Sequence, residues 1–308
     1  MTLFIIAAVI IALILIVSYI CFRMAFYVPT KNGRRVAKDV LSGPEYDDFR
    51  ENIKNWVNET KNTPHEEFMI TSFDGLKLYG NYYELSPDAP IEIMFHGYRG
   101  SAERDLAGGM RRAFDVGHSA LIVDQRCCGK SDGNVITFGI NEYKDCLKWV
   151  RFVIDKFGKD VKIVLTGISM GASTVLIAAS TPLPPNVIGV LADCGYTSAK
   201  DIIKKVIKEM HLPESIAYPF VRLGAKIYGH FDLEEISPIS VLKNCKIPVI
   251  FYHGEDDGFV PSEMSDINYS AVTSKKKLIK IKGAAHGLSY PVAPDHYTDE
   301  MKKFFSEE

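Results

Sequence analysis

Gly167-Ile168-Ser169-Met170-Gly171 follows the apolar run 161–165 and opens the small-residue stretch 172–180. A G-x-S-x-G set between a strand and a helix is the pattern of a nucleophile elbow, where two glycines permit a cramped turn that lifts the serine hydroxyl above a sheet. Met170 would begin the helix, whose free N–H groups then face the same point. The five-residue pattern arises often by chance, and the strand-turn-helix setting is what gives it weight. Ser169 is the candidate nucleophile, against the plainer reading of a buried serine in a tight turn.

Outward from this turn, short apolar runs recur at 68–71, 76–83, 91–95, 120–123, 161–165, 187–192, 247–252 and 278–281. They read as eight strands. Helical patterns lie between them at about 102–116, 140–157, 170–180, 262–273 and 295–307. Strand-helix alternation of this kind predicts an α/β fold, a mostly parallel sheet covered on both faces. The interval of about 197–242 breaks the alternation, being helical in pattern and interrupted by Pro213, Pro219 and Pro238. It is expected to be an inserted cap. No internal repeat of fixed period is visible.

The N-terminus is of another character. No residue from 1 to 22 is charged, and 3–20 is almost wholly aliphatic, long enough for a helix to cross a bilayer core. A cleaved signal peptide would carry basic residues before the apolar run and an A-x-A site after it, and neither is present. Residues 1–27 are therefore expected to be an uncleaved transmembrane anchor, 28–66 a juxtamembrane connector without chemistry, and 67–308 the catalytic body with its cap. Arg23, Lys31, Arg34, Arg35 and Lys38 follow the apolar stretch and place the body in the cytoplasm by the positive-inside tendency.

Composition narrows the function classes. The chain has 308 residues, 47% hydrophobic and 24% charged, which is the balance of a globular protein and excludes a disordered scaffold. Its 36 basic against 38 acidic residues leave no positive excess for a phosphate backbone, so a nucleic-acid partner is not expected. The six cysteines, Cys21, Cys127, Cys128, Cys146, Cys194 and Cys245, form no C-x-x-C pair, which argues against a zinc site and a disulfide framework. Gly129-Lys130-Ser131 has the ending of a phosphate-binding loop, but Asp124 stands where that loop requires glycine. The lysines at 275, 276, 277, 280 and 282 read as a solvated strand edge.

A serine hydroxyl needs a base to remove its proton and a group to orient that base. His286, in Gly283-Ala284-Ala285-His286-Gly287 just past the last apolar strand, is placed to swing back over Ser169. His253 reads as a packed, hydrogen-bonded ring, and His65, His118, His211, His230 and His296 have no comparable strand-end position. The acid should precede the histidine at a strand end. His253-Gly254-Glu255-Asp256-Asp257-Gly258-Phe259-Val260-Pro261 supplies it, and three acids compete there, with Asp193 as a more distant alternative. The developing oxyanion needs donors worth about 3 to 4 kcal/mol each. The backbone amides of Tyr98, in His96-Gly97-Tyr98-Arg99-Gly100, and of Met170 are the candidates, and His96 is expected to shape that loop.

These motifs and their order over about residues 67–307 resemble the α/β-hydrolase superfamily. Within it, the chain resembles membrane-anchored bacterial serine hydrolases of the serine-aminopeptidase-like or lysophospholipase-like kind. The resemblance implies an α/β-hydrolase fold and, through H-G-x-x-D-x-x-V-P, assigns the acid to Asp257, beside Ser169 as nucleophile and His286 as base. Asp124-Gln125-Arg126-Cys127-Cys128-Gly129-Lys130-Ser131 resembles the family's D-x-R-G-x-G-x-S loop, with Cys127 in place of the glycine.

The expected activity is cleavage of a carboxylic ester or thioester of a small or lipid-like acyl substrate through an acyl-enzyme, without metal or organic cofactor. The cap aromatics and aliphatics Ile216, Tyr218, Phe220, Val221, Leu223 and Tyr228 would line an acyl groove, or pack on the body. One alternative is a peptidase or amidase using Glu234 or Glu235 to receive a substrate amine. Another is a catalytically silent binding or sensor module, against which an intact serine, acid and histidine set argues.

Overall fold

The computed structural model describes residues 1–29 and 43–306, so that Lys31, Arg34, Arg35 and Lys38 lie outside the described residues. Helix α1 (Thr2–Ala25) is followed by a 3-10 turn (Pro44–Phe49) and α2 (Arg50–Asn62). Then come β1 (Glu66–Thr71), β2 (Lys77–Tyr83), β3 (Ile91–Phe95), α3 (Ala102–Asp105), α4 (Ala107–Asp115), β4 (Ser119–Val123), α5 (Glu142–Phe157) and β5 (Ile163–Ile168). The elbow opens α6 (Met170–Ala179), followed by β6 (Val187–Asp193) and the inserted helices α7 (Ala199–Glu209), α8 (Glu214–Tyr228) and α9 (Pro238–Val241). The chain closes with β7 (Val249–Gly254), α10 (Glu263–Ala271), β8 (Lys276–Ile281), α11 (Ser289–Val292) and α12 (Pro294–Ser306).

The eight strands form one sheet in the order β1-β2-β4-β3-β5-β6-β7-β8. Strands β1, β2 and β4 pair antiparallel and every other neighbour is parallel. Every residue of β3, β4 and β7 is buried, as a sheet covered on both faces requires. One face packs against α5 and α6 through Trp149, Val153, Val175 and Leu176. The other carries Val57, Leu191, Ile250, Tyr252, Met301 and Phe304. Because β4 lies on one side of β3 and β5 on the other, the strand order reverses there, and the carboxyl ends of β3 and β5 bound the crevice where such sheets place their ligands.

Helix α1 is, among the described residues, the one helix long and apolar enough to cross a membrane, a property that anchors and signal sequences share. Its first 13 residues, Thr2 to Ile14, are exposed, whereas its second half is docked on the cap. Helix α8 runs antiparallel to it, with Tyr228 donating its hydroxyl to the Leu15 carbonyl at 3.1 Å. Gly224 permits the close approach, since a Cβ there would come within 2.3 Å of the Ser18 carbonyl oxygen. Beyond the helix, Phe26 is fully buried against the rings of Phe138 and Phe231, at centroid distances of 5.8 and 5.2 Å. Backbone bonds from Val28 to Asn134 and from Ile136 to Phe26, both 2.9 Å, stitch this segment to the body.

Candidate active site

Strand β5 ends at Ile168, and Ser169 turns the chain into α6 with φ 56 and ψ −117, a conformation costly for any residue with a side chain. Packing imposes it. A Cβ on Gly171 would sit 1.9 Å from the Phe95 carbonyl oxygen, so only glycine lets α6 start this close to the end of β3. The Ser169 N–H donates to the Asp193 carbonyl at 2.8 Å, which pins the turn between β5 and β6. Its hydroxyl is left above the carboxyl edge of the sheet.

His286 sits in the loop after β8, which lies over the end of β7 through a bond from the Asp256 N–H to the Ala284 carbonyl at 3.0 Å. From there its Nε2 stands 2.9 Å from Ser169 Oγ and its Nδ1 stands 2.7 Å from Asp257 Oδ2. A carboxylate only accepts, so Nδ1 carries the proton toward Asp257 and Nε2 is free to accept from the serine. Asp257 Oδ1 accepts from the N–H groups of Phe259 and Val260 at 2.9 and 2.8 Å. Burial works to raise the Asp257 carboxyl, but hydrogen bonds from His253 and His286 and the Val260 amide outweigh it and hold the group well below the usual carboxylate range.

His253 is the packed, hydrogen-bonded ring expected from the sequence, and one of its bonds reaches Asp257. Its Nε2 lies 2.9 Å from the Val260 carbonyl and 3.2 Å from Asp257 Oδ2, while Nδ1 lies 2.6 Å from Ser265 Oγ. The carbonyl can only accept, so Nε2 carries the hydrogen and Nδ1 accepts from the serine. Fully buried, this ring reaches the same carboxylate oxygen, Oδ2, as His286 does. The H-x-x-x-D spacing within the acidic turn was the available signal.

The competing acids go elsewhere. Asp256 is exposed. Asp193 accepts from Ser289 and Tyr297 at 2.8 and 3.1 Å, and burial raises its carboxyl against those bonds.

The loop after β3 passes beside the serine, with a Cβ position on Gly97 only 3.5 Å from Ser169 Cβ. Neither the Tyr98 nor the Met170 amide has an acceptor among the described residues; Met170 follows the serine in sequence, and Tyr98 lines the same cavity as Ser169. His96 shapes this loop: its Nε2 accepts from the Gln125 amide at 3.0 Å and its Nδ1 donates to the Gly97 carbonyl at 2.7 Å. Arg99 holds φ 53. Cys127, where the resemblance expects glycine, takes φ 68, the left-handed region that glycine favours.

A cavity of about 230 Å³ opens beside Ser169 and His286. Its walls include Met94, Leu106, Ile168 and Leu191, with Tyr46, Ile53 and Trp56 from the connector. The connector thus forms part of the cavity wall. Ile53, Trp56, Val57 and Thr60 recur at helical spacing and mark an inward face that was readable in the sequence. Of the two readings open for the cap hydrophobics, packing on the body is the one observed, and no residue from 197–242 lines this cavity. Tyr218 and Val221 pack with Phe22 and Phe26, and Tyr228 lies against Tyr19 and Phe22. Tyr218, Val221 and Tyr228 are thus occupied by packing, in good part against α1, whereas Ile216 is exposed. Glu234 is held by Arg222, Lys200 and the Tyr218 hydroxyl, and Glu235 is exposed outside the cavity.

The one metal-ligand type cluster among the described residues is Cys194, Asp257 and His286. Two of its members are already bonded to each other, and burial pushes the Cys194 thiol well up, away from the thiolate that binds metals.

No family model matches the chain. The uncharacterized protein YqkD of Bacillus subtilis is 28% identical over 240 residues, covering 77% of this chain and 78% of that one. The bifunctional esterase/perhydrolase DCH of Acinetobacter calcoaceticus is 25% identical over 262 residues, covering 71% of this chain and 92% of its own. Among solved structures, the Pyrococcus furiosus esterase Pf2001 superposes with a TM-score of 0.66 at 23% identity, over 82% of this chain and 94% of that one. The sheet order and the elbow at the end of β5, together with the likeness to this esterase structure, show that the chain has the α/β-hydrolase fold.

Proposed function

We propose that this protein is a membrane-anchored serine hydrolase that cleaves a carboxylic ester or thioester of a small acyl group. The observation that carries the reading is the continuous chain of hydrogen bonds from Asp257 Oδ2 to His286 Nδ1, 2.7 Å, and from His286 Nε2 to Ser169 Oγ, 2.9 Å. His286 takes the hydroxyl proton as Oγ attacks the carbonyl carbon, and the oxyanion develops under the amides of Tyr98 and Met170. His286 then gives the proton to the departing alcohol or thiol. A water activated by the same imidazole attacks the acyl-enzyme and releases the acid, while Asp257 holds the tautomer and stabilises the charged ring. This route calls on no metal or organic cofactor.

Two observations support the substrate class. The similar proteins include an esterase/perhydrolase and an esterase. The cavity, about 230 Å³, is below the ~300–1,000 Å³ of drug-sized ligand sites, which favours a short acyl group. The docking of residues 15–28 on the body supports an anchor that stays with the chain, and the basic residues after it support a body on the cytoplasmic side.

The test is mass-spectrometric mapping of a fluorophosphonate on the detergent-solubilised protein, paired with turnover of short-chain esters. A single adduct on Ser169, and loss of both adduct and turnover in a folded Ser169→Ala variant, is the expected result. A folded protein without an adduct would put the binding-module alternative in its place.

A further inference from the structure

The end of α1 touches the loop that carries one of the proposed oxyanion donors. The Tyr98 hydroxyl donates to the Ala25 carbonyl at 2.7 Å. Arg99 Nη2 donates to the carbonyls of Met24, at 2.8 Å, and Tyr27, at 3.2 Å. The last carbonyls of a helix lack intrahelical partners, and a guanidinium at that end meets both their lone pairs and the negative end of the dipole. The Tyr98 ring lies 5.0 Å from that of Phe138, which in turn meets the ring of Phe26. Two consecutive side chains of the loop thus reach the anchor, while the backbone before them passes beside Ser169.

Arg99 has a positive φ, which is costly for a non-glycine residue and persists only when its surroundings impose it. The bonds to Met24 and Tyr27 are the constraint at hand. We infer that the last turn of α1 clamps the oxyanion loop in its working geometry, with Tyr98 and Arg99 as positioning residues, so that the catalytic centre is complete only while the anchor's end stays docked. This rests on the serine-hydrolase reading. An oxyanion donor acts only at about 2.7–3.1 Å from the developing charge, so a relaxed loop loses transition-state stabilisation and leaves ground-state binding largely as it was.

The experiment uses the full-length chain in detergent micelles, with kcat expressed per Ser169 titrated by fluorophosphonate. A variant that merely unfolds then loses titratable sites and not kcat per site. Tyr98→Phe removes one hydroxyl and keeps the ring and the amide; it is expected to lower kcat about 5-fold. Arg99→Gln is expected to lower it about 10-fold or more, because the lost bonds are charge-assisted. In both, KM for p-nitrophenyl butyrate stays near that of the parent, and Arg99→Lys recovers part of the loss. Parental kcat per site in both Tyr98→Phe and Arg99→Gln overturns the inference alone. No Ser169 adduct in the parent overturns the serine-hydrolase reading, and the inference with it.

Discussion

Tyr46 donates its hydroxyl to the backbone carbonyl of His286 at 2.9 Å, across 240 positions of sequence. The connector thereby holds the loop that carries the proposed base. Burial, reinforced by nearby acids led by Glu45, pushes the Tyr46 phenol well up, so it remains a neutral donor throughout the working range. Tyr46→Phe deletes only this bond. A typical net hydrogen bond of about 0.5–1.5 kcal/mol corresponds to a roughly 2- to 12-fold fall in kcat if the bond sets the imidazole's position. Steady-state kinetics on an ester decide it, and an unchanged kcat would mean that the loop is held by its other contacts.

The acidic turn offers a direct comparison between neighbours. Asp257 faces both His286 and His253, whereas Asp256 is exposed. Asp257→Asn presents an amide that can donate where the imidazole also donates, and disfavours the tautomer that leaves Nε2 free. A fall in kcat of about 10⁴-fold is expected by analogy with the triad template. Asp256→Asn should leave kcat at the parental level. Equal effects of the two substitutions would remove Asp257 from its proposed role.

Much of this arrangement was legible in the residues because each signal was local. Gly167 to Gly171 sits directly between a strand and a helix, and His286 directly follows the last strand, so chain order alone brings them to one edge of a parallel sheet. The choice of Asp257 over Asp256 was not local. It depends on which carboxylate turns inward to meet Phe259, Val260 and two histidines, and the family resemblance supplied it. The pocket wall was harder still. Ile53 and Trp56 show a helical apolar stripe, but nothing in a stripe says which surface it covers. The cap hydrophobics had the same ambiguity, and much of their surface went to α1.

Trp56 follows from that wall. Its indole lies against the backbone of Gly108, where a Cβ would come within 3.1 Å, and 5.5 Å from the ring of Tyr290. Removing it lengthens the cavity on the connector side. Trp56→Ala is expected to raise the ratio of kcat/KM for octanoyl over butyryl esters about 10-fold or more, since accommodating even one extra methylene in an apolar pocket is worth roughly 1–3 kcal/mol. An unchanged chain-length profile would place the acyl group elsewhere in the cavity.

Glu92 tests the frame beneath the site. Fully buried on β3, it accepts from Arg112 at 2.6 and 3.1 Å and from Thr166 at 2.8 Å, and faces His118 at 2.9 Å. Burial raises its carboxyl, but Arg112 and His118 outweigh burial and bring it down to about 2. The folded value lies below the ordinary glutamate value of about 4.3, so this group's stabilisation is present above about pH 4.3 and is lost as the pH falls toward 2. Glu92→Gln leaves the Arg112 charge buried without its partner, and is expected to cost about 3–5 kcal/mol by denaturant unfolding at pH 7. Much of that cost belongs to the orphaned guanidinium, so Glu92→Gln combined with Arg112→Met should recover a large part of it. In the Gln variant the acid-dependent loss of stability between pH 4.3 and 2 should also be shallower. A single variant as stable as the parent, with the parent's acid profile, would show that Arg112 finds another partner or water in the folded protein.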